Sequence, residues 1–212
     1  MTRRGSASVA ETLPNPIEAL STLDTDGLSF RPWRPAAILQ LAAWSAESAA
    51  ALAQWERSVF GASIAGAGAT LAAGGLRLWP VAPWRRLLIA EAGTALPDLP
   101  AEVAAAPCTG GYVGLRLDGT RSRDLLAKLA AIDLHPDMLV EGDFATARLE
   151  HVRVHLQRAG ADAFDLLLPV SYAEFTLGAL ADGALEFGAR IDPALLHRPT
   201  PPQESPRAFS LK

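Results

Sequence analysis

The hydrophobic pattern cuts the chain into short segments whose period changes repeatedly. Ala36 to Trp44 is apolar except for Gln40 and predicts a buried strand. Leu52, Trp55, Val59 and Phe60 then recur at helical spacing, behind Ser45 as N-cap and ahead of Gly61 as terminator. Before this unit, Arg31-Pro32-Trp33-Arg34-Pro35 cannot be helical, because each proline drives its predecessor toward extended geometry. After it, the Gly/Ala-rich stretch Gly61 to Gly75 predicts a loop. Leu76 to Trp79 predicts a short strand broken by Pro80 and Pro83, and Arg85 to Glu91 its antiparallel partner. Ala95 to Pro107 predicts a short helix between proline turns.

A second set follows. Tyr112 to Asp118 alternates, with Val113, Leu115 and Leu117 on one face. Thr120 or Ser122 can cap a helix through Leu125, Leu126 and Leu129. Phe144 to Gln157 alternates over a long run, residues 158–162 suggest a turn, and Phe164 to Val170 a returning strand. Ser171 and Glu174 have capping-box spacing and predict a helix Tyr172 to Leu180. The expected fold is therefore α+β, an antiparallel sheet with helices in two β-α-β-β-α halves. The expected organisation is a flexible N-terminal arm over 1–25, a domain over 26–190 and a Pro-rich tail over 191–212.

Composition narrows the function. The 212 residues suggest one domain, or two small ones sharing a core, and carry a net charge of -4. That charge argues against nucleic acid or an anionic membrane as partner. A single cysteine, Cys108, excludes an intramolecular disulfide. Arginine outnumbers lysine 17 to 2, so the cations are planar forks suited to ion pairs and stacking. No uniformly apolar run is long enough to cross a bilayer, and Met-Thr-Arg-Arg-Gly-Ser has no apolar region behind it, so a cytoplasmic protein is expected.

Motifs for chemistry are sparse. His151 and His155 fall in a strictly alternating stretch, where they stand about 13 Å apart, too far to share one metal. They share a strand face with Arg153 and Gln157, read as polar or partner-facing. Gly66-Ala67-Gly68 has Leu71 where a dinucleotide loop needs its third glycine. Cys108 has no neighbouring base and reads as structural. Asp118, Asp124, Asp133 and Asp137 are explained as caps and turns. Trp44 and Trp55 read as core. Trp33-Arg34 and Trp84-Arg85 occur in Pro-Trp-Arg turns and are the candidate partner contacts, tryptophan and arginine being common interface anchors.

One stretch carries a family resemblance. Leu115-Arg116-Leu117-Asp118-Gly119 through Asp124-Leu125-Leu126 resembles the opening of the folate-binding fold of the glycine-cleavage T protein superfamily. Ile132-Asp133-Leu134-His135-Pro136 with Gly142 and Thr146, Phe164 through Glu174, and Leu76 through Leu88 resemble segments of the gamma subunit of heterotetrameric sarcosine oxidase. Val81-Ala82-Pro83 replaces that family's hairpin turn, and Val170 stands where it usually has arginine. The resemblance spans roughly residues 28 to 187.

It implies an accessory subunit without an active site of its own, in a complex that converts sarcosine to glycine with tetrahydrofolate and O2. NAD and a folate site are implied in an alpha subunit, chiefly the partner, FAD and FMN in a beta subunit, and zinc in a delta subunit. No catalytic, cofactor or metal residue is implied in this chain. Two alternatives remain open: a subunit of a related N-methyl amino acid dehydrogenase, such as one for N-methylglutamate, and a stand-alone folate-binding one-carbon protein using Tyr112 and Asp118.

Overall fold

The computed structural model describes residues 25, 27–66 and 68–189. The expected arm, apart from Thr25, and the Pro-rich tail lie outside them. The chain folds as α+β, with β1 (Ser29–Trp33), β2 (Ala37–Ala42), α1 (Ala46–Phe60), β3 (Leu71–Ala73), β4 (Leu76–Ala82), β5 (Arg85–Ala90) and β6 (Ala104–Pro107) in the first part. There follow β7 (Tyr112–Asp118), α2 (Ser122–Leu129), β8 (Phe144–Leu149), β9 (Val152–Gly160), β10 (Ala163–Pro169) and α3 (Ala173–Ala184).

Two five-stranded antiparallel sheets result, ordered β3-β4-β5-β2-β6 and β1-β7-β10-β9-β8. Each is built from a strand, a helix and three strands in meander, the last of which returns beside the first. Each adds one edge strand, β6 in the first sheet and β1 in the second. Two halves are present as expected, but each sheet has five strands where the pattern indicated three, and the first half lacks its second helix.

Three hydrophobic layers hold the arrangement. α1 packs Leu52 and Trp55 on Leu41, Leu78 and Leu88 of the first sheet. α2 and α3 pack Leu125, Leu126, Leu177 and Leu180 on Leu115, Leu117, Leu166 and Leu168 of the second. The remaining faces meet each other through Trp33, Ile38, Trp79, Leu87, Ile89, Phe144 and Leu167. Within the second sheet, Gly114 lets β1 lie close against β7, because a Cβ there would lie 2.2 Å from the Trp33 carbonyl oxygen.

Local signals explain the first helix. Ser45 Oγ accepts from Ser48 N–H at 3.1 Å, Ser48 Oγ accepts from Ser45 N–H at 2.9 Å, and Gly61 ends the helix at φ 77°. Other expectations need correcting. Residues 95–107 form no helix; three prolines deny it backbone donors, and Ala104–Pro107 pairs instead with β2. The β4 strand runs through Pro80, which the sheet accommodates with a register shift against β5. The long alternation from Phe144 is two strands, turned at Glu150 (φ 53°) and His151. Neither Thr120 nor Ser122 caps α2, since the Ser122 hydroxyl bonds the Gly119 and Asp162 carbonyls. No Ser171–Glu174 box forms, because a 3-10 turn at Val170–Tyr172 precedes α3.

Candidate functional site

The polar chemistry of the molecule gathers where the two sheets face each other. Directly opposed strand residues share a face, so Arg116, Asp165, Gln157, His155 and Phe144 all point from the second sheet toward the first. Asp165 is fully buried. Arg116 of the neighbouring strand grips it with two hydrogen bonds of 2.6 Å, and Arg77 reaches it from β4 of the first sheet. Arg77 also pairs with Glu91 at 2.9 Å and lies 4.8 Å from the Trp33 ring centre, while Trp33 Nε1 donates to Glu91 at 3.0 Å. Farther along, Trp79 Nε1 donates to Gln157 Oε1, and Gln157 Nε2 donates to Thr70 Oγ1 and the Gly142 carbonyl.

Four of these hydrogen bonds tie one sheet, or its loops, to the other: Arg77 to Asp165, Trp33 to Glu91, Trp79 to Gln157 and Gln157 to Thr70. A buried carboxylate flanked by two guanidinium groups is costly to break. The shallow cleft over it, about 710 Å³, is lined by Arg31, Trp33, Arg77, Glu91, Arg116 and Asp118. Arg77 crosses the seam to Asp165 and Trp33 crosses it to Glu91, so the arrangement locks the sheets in register.

His155 continues the seam. It lies between Tyr112 and Phe144 at ring-centre distances of 5.8 Å, with Thr146 Oγ1 3.0 Å from Nδ1. Burial, and then the charge of Arg153, lower its pKa to about 4, so it is neutral near pH 7. His151 sits apart in the hairpin turn and is exposed. The two histidines therefore do not share a polar face, and Gln157, expected at a polar or partner-facing position, is buried under the first sheet. Burial likewise pushes the Cys108 thiol up, and its Sγ lies 3.5 Å from the Ile38 carbonyl, in keeping with a structural cysteine.

A larger cleft, about 750 Å³, opens between Pro80–Pro83, the two glycines Gly66 and Gly68, and β8. Its Asp133 and Asp143 accept from the backbone N–H groups of His135 and Val140, as turn-forming aspartates do. Arg86 in its wall is committed to Glu56 of α1 at 2.9 Å. Tyr112 and Asp118, the pair considered for a pterin, occupy opposite ends of β7, about 20 Å apart, and do not converge on one ligand. Among the described residues no three His, Cys, Asp or Glu side chains gather where a metal could be held.

The four proposed partner contacts separate. Trp33 is buried, with 8% of its surface accessible, because β1 carries it into the seam; its reading as an exposed turn does not hold. Arg34 is exposed in the β1–β2 connection, a strand length from Trp84 and Arg85. Trp84 and Arg85 are exposed together in the β4–β5 turn. They are joined by Trp44, which is 68% exposed rather than core and lies 5.8 Å under the Arg85 guanidinium. Trp44 was missed because it ends an apolar run. The Ala43 N–H bond to the Trp84 carbonyl, which brings the two indoles to one corner, has no sequence signal. The seam was missed too, although a lone aspartate within Phe164-Asp165-Leu166-Leu167-Leu168 signals a buried carboxylate seeking cations.

Solved structures with this arrangement are known. A chain of heterotetrameric sarcosine oxidase from Corynebacterium sp. U-96, in complex with pyrrole 2-carboxylate, superposes with a TM-score of 0.70 at 25% identity, over 82% of this chain and 93% of that one. The glycine cleavage system aminomethyltransferase T from Bartonella henselae superposes with a TM-score of 0.51 at 15% identity, over 78% of this chain and 48% of that one. The fold is the T-protein-like folate-binding fold. The suspected resemblance to heterotetrameric sarcosine oxidase and glycine-cleavage T protein is thereby matched in three dimensions. The sequence matches no family model and no curated protein. No helix among the described residues is long and apolar enough to cross a membrane.

Proposed function

We propose that this chain is the gamma-type, accessory subunit of a cytoplasmic, heterotetrameric, flavin-dependent oxidase that demethylates sarcosine to glycine with tetrahydrofolate and O2. The observation that carries the reading is the match to a heterotetrameric sarcosine oxidase over nearly the whole length of one of its chains. The chemistry then resides in partner subunits, which hold FAD, FMN, NAD, tetrahydrofolate and zinc. This chain contributes a rigid two-sheet body. Trp84 and Arg85, with Trp44, offer a corner of two exposed indoles and a guanidinium, the residue types that anchor interfaces. Arg34 adds a separate contact toward the alpha-type subunit.

The test is to tag the chain in its own host, purify it gently, and record mass and visible absorbance. A large yellow complex with flavin bands that oxidises sarcosine is expected. A colourless particle of the mass of this chain alone overturns the reading, and tetrahydrofolate titration of that particle then decides whether it is a folate-binding protein. In the complex, Trp84→Ala is expected to lower subunit retention; unchanged retention on a gel-filtration column removes the corner from the interface.

A further inference from the structure

The inner face of the second sheet extends past the first. The row formed by Thr146, His155, Leu167 and Gly114 lies at the margin of the seam. One row farther out, Arg148 of β8 and Arg153 of β9 stand directly opposite each other, both exposed, at the end where Pro169 and Tyr112 are also paired. Like charges directly opposed across two strands are unfavourable.

Among the described residues no carboxylate compensates them. Arg77, Arg86 and Arg116 each meet a carboxylate, whereas neither Arg148 nor Arg153 forms an ion pair among the described residues. Glu150, in the turn between them, does not reach either one. The chain as a whole has an excess of acid, so this is a local concentration of positive charge on an acidic protein. Its position is equally specific: two exposed guanidinium forks side by side on the β8–β9 hairpin, at the outer end of the inner sheet face.

We propose that Arg148 and Arg153 form the docking surface for an acidic segment of a partner subunit, whose Asp or Glu carboxylates take the two forks. The proposal rests on the reading of the chain as a subunit and adds a second contact, distinct from the Trp44–Trp84–Arg85 corner. Charge complementarity selects an acidic polypeptide.

The near absence of lysine supplies a clean test. In the double variant Arg148→Lys, Arg153→Lys both charges survive, and the chain otherwise holds only Lys128 and Lys212. The assembly is purified from its own host, treated with a carbodiimide that joins amines to carboxylates in direct contact, and mapped by mass spectrometry. A crosslink from position 148 or 153 to an Asp or Glu of another kind of subunit is expected. The reversed variant Arg148→Glu, Arg153→Glu is expected to lose that subunit about ten-fold at physiological salt, while the lysine variant retains it and shows that the hairpin folds. Absence of such a crosslink, wild-type recovery of the reversed variant, or a crosslink only to a second copy of this chain overturns the proposal. Failure of the subunit reading looks different: the unaltered chain then emerges alone, and the acidic partner falls with it.

Discussion

The two faces of the second sheet solve the same packing problem with opposite chemistry. Toward α2 and α3 the sheet presents Leu115, Leu117, Phe164, Leu166 and Leu168, fully buried and without a polar group. Toward the first sheet the same strands present Arg116, Asp165, Gln157 and His155. On the leucine face, shape and volume suffice, and an apolar substitute of similar size can repack. On the seam, the polar groups have specific partners, and a substitute of the same size leaves those partners unsatisfied. Neighbouring residues of one strand should therefore fail for different reasons.

Asp165→Asn, nearly isosteric, is expected to cost about 3–5 kcal/mol, because it removes the charge that two guanidinium groups share; urea unfolding measures it. A loss below about 1 kcal/mol would mean that those arginines are equally well solvated without it.

His155 tests the seam by pH. Its folded pKa of about 4 lies below the ordinary 6.5, so the folded state binds the proton more weakly than the unfolded chain. Its contribution is complete above pH 6.5, falls as the pH drops below that value, and is lost by about pH 4, a change of up to about 3 kcal/mol. His155→Gln should flatten the pH dependence of stability over that window. An unchanged acid limb assigns the loss to other groups.

On the leucine face, Leu166→Met is expected to cost less than about 1.5 kcal/mol, one residue from the position where an isosteric change is severe. If the two changes cost the same, the contrast between the faces is wrong. The smallest effect concerns the hairpin turn. Glu150 holds a left-handed conformation, at φ 53°, that side chains disfavour, so Glu150→Gly should raise stability by up to about 1 kcal/mol. Thermal unfolding detects it as a rise in Tm.

These contrasts also explain how much could be read in advance. Elements set by local rules were legible: α1 begins after Ser45 and ends at Gly61, and β7 spans Tyr112–Asp118 as its alternation indicates. The fold was legible through motif order, which follows the chain. The seam was not, because alternation tells two faces apart without saying what covers each. Gln157 read as polar or partner-facing when the first sheet in fact lies over it. Trp33 and Trp44 exchanged roles for the same reason: exposure depends on which distant strand arrives. The exposed corner needs the Ala43–Trp84 bond, a contact across forty residues that no local pattern records.

The place of β1 bears on how the molecule is made. Its partner is β7, and between Trp33 and the Gly114 opposite it the chain builds the whole first sheet. At bacterial-like elongation rates of roughly 5–20 residues per second, β1 waits several seconds beyond its own synthesis for the strand it must join. During that interval it is a naked edge in a crowded cell. Arg31 and Pro32, a charge and a missing donor on a five-residue strand, keep it from recruiting the wrong neighbour while it waits.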